Sequence, residues 1–302
     1  MEVIKVEKLT KDYGQGRGVF DISFAIPQGE VFGFLGPNGA GKTTTIRQIM
    51  GFIKPDSGSV YINGMRVWGK SHITNRDIGY VPGEINFPEK TTGLDLIKWL
   101  AKFNNLKSME KAEQLLNLME LKNPGSDLKR MSKGMKQKIG IVCAFMHDPK
   151  IIILDEPTSG LDPLMQEIFV DLVKKEKNAG KTILLSSHIF SEIEKTCDRV
   201  SIIKEGEIVT SFHMDEIRHP HVKTFKVKLS KPGDSRVMAQ ENLNFAEINH
   251  EKNRVKVAVN DSDIKGFVSL LLKYEIKYFT EMKPTLEDCF MKFYSTKNGG
   301  AA

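Results

Sequence analysis

Gly36-Pro37-Asn38-Gly39-Ala40-Gly41-Lys42-Thr43 follows an apolar segment, Glu30 to Leu35, and leads into a helix that opens at Gly41. A G-x-x-x-x-G-K-[ST] stretch with a strand before it and a helix after it reads as a phosphate-binding loop. Its glycines let the backbone curl so that N–H groups point inward at phosphate oxygens, and the helix N-terminus adds partial positive charge. Lys42 is placed to reach β- and γ-phosphates, and the Thr43 hydroxyl to ligate Mg²⁺. A glycine-rich turn without function is the alternative, and the flanking strand and helix weigh against it.

Downstream, Ile151-Ile152-Ile153-Leu154 is a continuous apolar run bounded by charge, as expected of a central parallel strand covered on both faces. It ends on two adjacent carboxylates, Asp155 and Glu156, at the sheet edge where α/β proteins bind ligands. Asp155 is the natural Mg²⁺ partner, and Glu156 is placed to orient or deprotonate an attacking water. Thr182 to Ser186 and Arg199 to Ile203 repeat the strand pattern, with helices expected at Leu164 to Lys177 and Phe190 to Cys197. The alternation predicts a doubly wound parallel sheet. His188, just after the strand ending at Ser187, is a candidate γ-phosphate contact; a histidine there is otherwise structural.

Around this centre, Val3 to Val6, Val19 to Ile26 and Ser59 to Ile62 read as strands of a β-rich edge, with turns at Pro55-Asp56-Ser57-Gly58 and Asn63-Gly64. From Thr92 to Leu121 apolar residues recur at three- and four-residue spacing, which predicts a helical insertion. Another helix is expected after Ser132. The character shifts near His219-Pro220-His221, where a smaller unit begins with strands near Phe225 to Leu229 and Val255 to Val259 and helices at Ile264 to Tyr274 and Leu286 to Tyr294. Gly299-Gly300-Ala301-Ala302 is set aside as a tail.

The chain of 302 residues is 40% hydrophobic and 27% charged, with a net charge of +6 spread along its length. That is globular composition, and no apolar run approaches the ~20 residues that cross a bilayer. With no secretory leader pattern, the expected location is cytoplasmic. Three well-separated cysteines, Cys143, Cys197 and Cys289, predict reduced thiols rather than a disulfide framework.

Taken together, these residues resemble the nucleotide-binding subunit of ATP-binding-cassette (ABC) transporters over about residues 1 to 215, in the family's order. Gly36 to Thr43, continuing into Thr44, matches Walker A; Ile151 to Glu156 matches Walker B; Pro157 to Asp162 resembles the D-loop; His188 matches the switch histidine. Tyr13 sits where the family places an aromatic ring on adenine. Met131-Ser132-Lys133-Gly134-Met135 resembles the L-S-G-G-Q signature, whose serine, glycine backbone and helix N-terminus grip the γ-phosphate held by the opposite subunit. Lys133 replaces the first glycine, adding a cation. At Tyr80-Val81-Pro82-Gly83-Glu84, Gly83 occupies the Q-loop position where the family offers glutamine, leaving Glu84 or water as the substitute.

The resemblance implies an α/β P-loop NTPase fold: an ABC ATPase core at 1–216, with a mixed sheet, a β-rich edge and a helical insertion at about 87–147. A small C-terminal α+β domain is expected at 217–302. It further implies Mg²⁺ and ATP as ligands, with catalysis by Glu156, His188 and Lys42 and metal binding by Thr43 and Asp155. A second copy in a head-to-tail dimer and an integral membrane permease are the implied partners, which would hold the subunit at the cytoplasmic face of the membrane. Phe87, Trp99 and Phe103 beside lysines mark a candidate groove for a short permease helix. The ending Pro284 to Phe290 resembles ABC-2 type subunits, so export is expected. An importer subunit and a regulatory dimerisation module are the alternatives. A nucleic-acid ATPase is disfavoured by the lack of a second cassette or zinc-type cysteine pairs, so no nucleic acid is expected.

Overall fold

The computed structural model describes residues 1–88 and 90–295, which form two compact units, Met1–His213 and a second from Met214 onward. The Gly299 to Ala302 tail lies outside the described residues. In the first unit the elements are β1 (Glu2–Asp12), β2 (Gly18–Pro27), β3 (Val31–Leu35), α1 (Lys42–Ile49), β4 (Ser57–Ile62), β5 (Met65–Arg66), α2 (Ser71–Thr74), β6 (Ile78–Val81), α3 (Gly93–Phe103), α4 (Glu110–Leu118), α5 (Lys133–Phe145), β7 (Ile151–Asp155), α6 (Pro163–Asn178), β8 (Thr182–Ser187), α7 (Phe190–Thr196), β9 (Arg199–Lys204) and β10 (Glu207–His213).

Six strands form one sheet in the order β10-β9-β3-β8-β7-β6. All neighbours are parallel except β10, which pairs antiparallel with β9. The unbroken apolar runs explain the centre: every residue of β3, β7 and β8 is buried, as a strand covered on both faces requires. The sheet is therefore mixed rather than wholly parallel. Two of its strands were not legible locally: β6 has only four residues, and β10 alternates in exposure like an edge strand.

A second, antiparallel sheet, β2-β1-β4-β5, packs its inner face on the first. Ile4, Leu9, Ile22 and Ile26 from it share one core with Phe32, Phe34, Ile46, Ile49 and Ile153, and Phe24 stacks on Phe32 at 4.9 Å. The insertion folds as α3 and α4 against α5, burying Ile97, Ala112, Leu115 and Val142. Side-chain caps set where these helices begin. Thr92 accepts from the Asp95 N–H at 3.1 Å for α3, and Ser132 from the Met135 N–H at 3.2 Å for α5. No described helix is long and apolar enough to cross a membrane.

The second unit runs α8 (Met214–Arg218), β11 (Val222–Leu229), α9 (Asp234–Met238), β12 (Asn244–Asn249), β13 (Arg254–Asn260), α10 (Ile264–Leu271), β14 (Ile276–Met282) and α11 (Leu286–Ser295). From β11 to β14 this is a β-α-β-β-α-β split motif, with an antiparallel sheet in the order β12-β13-β11-β14. Phe225, Val227, Val255 and Val257 pack with Phe267 and Leu271 of α10. The sequence reading found β11 and β13, which alternate cleanly. It missed α9 and the edge strands β12 and β14, whose side chains are largely exposed.

Both tryptophans of the chain, Trp68 and Trp99, lie in the first unit, so their fluorescence reports on that unit alone. Ile153→Ala, at a fully buried position on β7, is expected to lower that unit's unfolding free energy by about 2–5 kcal/mol. A urea titration followed by tryptophan emission measures it; a loss under about 1 kcal/mol would mean the site collapses without leaving a cavity.

Candidate functional site

Parallel pairing brings the carboxyl ends of β3, β8 and β7 side by side, although they lie far apart in the chain. Leu35 is level with Ser187, and Ser186 with Asp155. The phosphate loop, Glu156 and His188 thereby converge on one cleft of ≈ 880 Å³, with Asp155 buried next to Glu156. Its lining includes Tyr13, Gly39, Lys42, Thr43, Gly83, Glu84, Lys133 and His188. Gly41 caps α1 with φ +110°, and a side chain there would strike Val19 at 2.6 Å, so both conformation and space demand glycine.

Lys42 is 4% exposed, and its ammonium is satisfied inside the loop. It donates to the carbonyls of Gly36 (2.6 Å) and Pro37 (3.1 Å) and pairs with Glu156 Oε1 at 3.1 Å. The other Glu156 oxygen lies 3.3 Å from His188 Nδ1. Glu156 has φ +46°, a left-handed backbone that costs about 1 kcal/mol or more for a non-glycine residue. It is held there by its N–H, which donates to the carbonyl and hydroxyl of Ser186 at 3.1 and 3.2 Å. Strain concentrated on the residue after a strand aims its carboxylate into the cleft.

Asp155 is fully buried. The Ser186 hydroxyl donates to Oδ1 at 2.6 Å, while Oδ2 has no hydrogen-bond partner. Desolvation pushes its carboxyl above the usual range, against the pull of the Ser186 and Thr43 hydroxyls. A buried carboxylate with an orphaned oxygen beside a threonine hydroxyl fits a divalent cation. Mg²⁺ needs only one or two such ligands when phosphates and water complete its shell. Gly83 stands against this same carboxylate: a Cβ there would lie 3.1 Å from Asp155 Oδ2. Glutamine at the Q-loop position would crowd that oxygen, whereas glycine leaves the approach to it open. Glu84 is exposed on the cleft wall.

The signature segment is braced within its own subunit. Lys133 Nζ donates to Ser159 Oγ at 2.8 Å, and Gln137 Nε2 to the Pro157 carbonyl at 2.8 Å. A Cβ on Gly134 would come within 2.5 Å of the Gly160 carbonyl, so this glycine is set by close packing. The start of α5 thus rests on the segment that follows Glu156. The Ser132 hydroxyl serves as the N-cap of α5, and Met135 supplies the N–H it accepts. Asp162, expected in the D-loop, caps α6 by accepting from the Met165 N–H at 3.0 Å. Tyr13 is exposed at the cleft mouth with Lys11 over its ring at 5.8 Å. Trp99 and Phe103, 63% and 81% exposed, line a separate apolar depression on α3; Phe87 is half-buried and not part of it.

A profile described as ABC transporter matches residues 19–159. The ABC transporter ATP-binding protein YhcH of Bacillus subtilis is 33% identical over 96% of this chain and 95% of its own length. The chain belongs to the ABC transporter ATP-binding proteins. As an ABC ATPase it is also similar to the bacitracin transport ATP-binding protein BcrA of Bacillus licheniformis, 32% identical over 96% of both chains. Among solved structures, the cassette MJ0796 is 26% identical with a TM-score of 0.64, over 70% of this chain and 98% of its own. Its structure is described as a dimeric post-hydrolysis state bound to ADP and Pi.

Four polar residues around this ABC cassette's centre were given no side-chain role by the sequence reading: Ser186, Ser187, Thr158 and Glu192. Glu192 lies in the first turn of α7, a favourable place for a carboxylate, yet it is buried. Its burial was not legible because local spacing puts a glutamate near a helix start by default. Desolvation outweighs the Ser187 and Thr158 hydrogen bonds and pushes its carboxyl up from 4.5 to about 7. In that window the folded state binds more protons than the unfolded one, so this group's stabilisation is complete below pH 4.5 and is lost as pH rises through 7. Glu192→Gln should remove the slope. Relative to wild type, the variant is expected to gain stability, on the order of 3 kcal/mol, between those pH values in denaturant titrations. Parallel curves for the two proteins would refute the shift.

Proposed function

We propose that this ABC ATPase hydrolyses Mg-ATP in a sandwich of two copies and drives an exporter through a membrane permease. The observation that carries the hydrolytic reading is the chain Lys42–Glu156–His188 beside the buried Asp155 carboxylate. The two acids have separate tasks. Asp155 and Thr43 would hold Mg²⁺, which supplies neutralisation of phosphate charge when bound. Glu156 ends one step further along, outside the strand, where it would face a water beside the γ-phosphate.

Incoming triphosphate competes with Glu156 for the Lys42 ammonium. Backbone N–H groups of the loop between Gly36 and Thr44, those of Asn38 and Gly39 among them, then cradle the β- and γ-phosphates, and Tyr13 stacks on adenine. Released from Lys42, Glu156 aligns and accepts a proton from the attacking water, whose oxygen bonds to the γ-phosphorus as the bond to the ADP oxygen breaks. Lys42 and His188 stabilise the transferring phosphoryl group. Ser132, Lys133 and Gly134 of the second copy would complete its far side, where the start of α5 favours an anion. Asp162, at the start of α6, would lie near that junction. A homodimer is the simplest assembly, since each chain carries all these elements.

The transport reading is supported by full-length similarity to an ATP-binding protein named for bacitracin transport. The exposed Trp99 and Phe103 on α3 provide a surface for a permease helix, which would place the subunit at the cytoplasmic face of the membrane. Export of drug-, peptide- or lipid-like cargo is the direction proposed; an importer would differ in its permease.

Glu156→Gln should leave ATP binding intact, lower turnover about 10²–10⁴-fold and retain an ATP-dependent dimer on size exclusion. Rapid hydrolysis by that variant would sink the role. Lys42→Ala is expected to weaken ATP binding about 10–100-fold by fluorescent-nucleotide titration, and unchanged affinity would count against the phosphate loop.

A further inference from the structure

Glu192 touches neither the phosphate loop nor the cleft, yet one of its oxygens gathers two segments that end on the reacting side chains. Ser187 Oγ, immediately before His188, donates to Glu192 Oε2, and Thr158 Oγ1, two residues after Glu156, donates to the same atom at 3.3 Å. Each hydroxyl belongs to a short hydrogen-bonded turn. Ser187 Oγ also accepts from the Ile189 N–H at 3.0 Å, so its two bonds straddle His188. The Ser159 N–H donates to the Glu156 carbonyl at 3.1 Å, and the Leu161 N–H to the Thr158 carbonyl at 3.0 Å, which closes the turn after Glu156. Glu192 is itself anchored on α7, where the Thr196 hydroxyl donates to its carbonyl at 2.7 Å.

We infer that Glu192 is a positioning residue for ATP hydrolysis, clamping the turn after Glu156 to the turn carrying His188 so that these two side chains meet across 3.3 Å. The inference rests on the hydrolytic reading above. Three features distinguish the clamp from an ordinary helix-start glutamate. Glu192 is 4% exposed, so its carboxylate is not there for solvation. Both hydroxyls converge on one oxygen, while Oε1 has no hydrogen-bond partner, an arrangement that costs desolvation energy a solvated first-turn glutamate does not incur. Its two partners lie in separate segments, the end of β8 and the turn beyond β7, which Glu192 ties together past the last ladder contacts at Ser186 and Glu156. Misplacement of a catalytic carboxylate by about 1 Å costs on the order of 10²-fold in rate without contact with substrate. Loosening the clamp should therefore lower turnover and spare nucleotide binding, which depends on the loop from Gly36 to Thr43.

The test uses the full chain with steady-state ATPase assays, fluorescent-nucleotide binding and long-range ¹H–¹⁵N spectra of the His188 ring. Glu192→Ala is expected to lower kcat about 10-fold or more, leave KM and nucleotide affinity within about twofold and shift the His188 ring resonances. Glu192→Gln, whose carbonyl can still accept from both hydroxyls, should restore kcat to within about threefold and return the resonances. Should Glu192→Ala fail to fold, Ser187→Ala and Thr158→Val cut the two arms singly, and each is expected to lower kcat without weakening binding. Wild-type kcat in Glu192→Ala, or in both single-arm variants, overturns the inference. So does an equal loss in the Ala and Gln variants with unmoved His188 resonances, which marks a purely structural role. Retained turnover in Glu156→Gln would instead strike the hydrolytic reading itself, whatever the Glu192 variants do.

Discussion

The parallel ladder of β3, β8 and β7 is the constraint on which the site depends. With β8 between the other two, the strand ends emerge together at one edge, and the register sets Ser186 beside Asp155 and Ser187 beside Leu35. Hydrogen bonds that look like active-site detail, from Ser186 to Asp155 and from Ser187 to Glu192, follow from that register. A one-residue slip would turn these hydroxyls to the other face of the sheet and strand the buried Asp155 carboxylate without a donor.

Electrostatics then divides labour between adjacent acids. Asp155 is the last residue of its strand, buried, with its carboxyl pushed up and one oxygen orphaned, an environment that calls for a cation. Glu156 turns out of the strand through a left-handed backbone and meets Lys42 and His188 in a half-open cleft. Burial separates the acid proposed to hold the metal from the one proposed to align water, although the two are neighbours in sequence.

Departures from the family pattern also acquire physical meaning. Gly83 leaves the approach to Asp155 Oδ2 uncrowded, where a side chain would press on it. Lys133 is engaged with Ser159, and Gly134 lies against Gly160, so the signature helix and the segment after Glu156 are joined.

The sequence alone determined the elements with strong local signals. These were the phosphate loop in its strand–helix setting, the unbroken apolar strands, Asp155-Glu156 at a strand end, and the helix start after Ser132. Such features are legible because glycine geometry, burial on two faces and orphaned helix N–H groups impose residue types at short range. Only the tertiary structure decided the strand order, the antiparallel β10, the edge strands β12 and β14, and the clamp at Glu192. Exposed edge strands carry weak patterns, and a glutamate in a helix's first turn has the same local sequence whether solvated or buried. Its burial is decided by Ser187 and Thr158, which reach it from other elements.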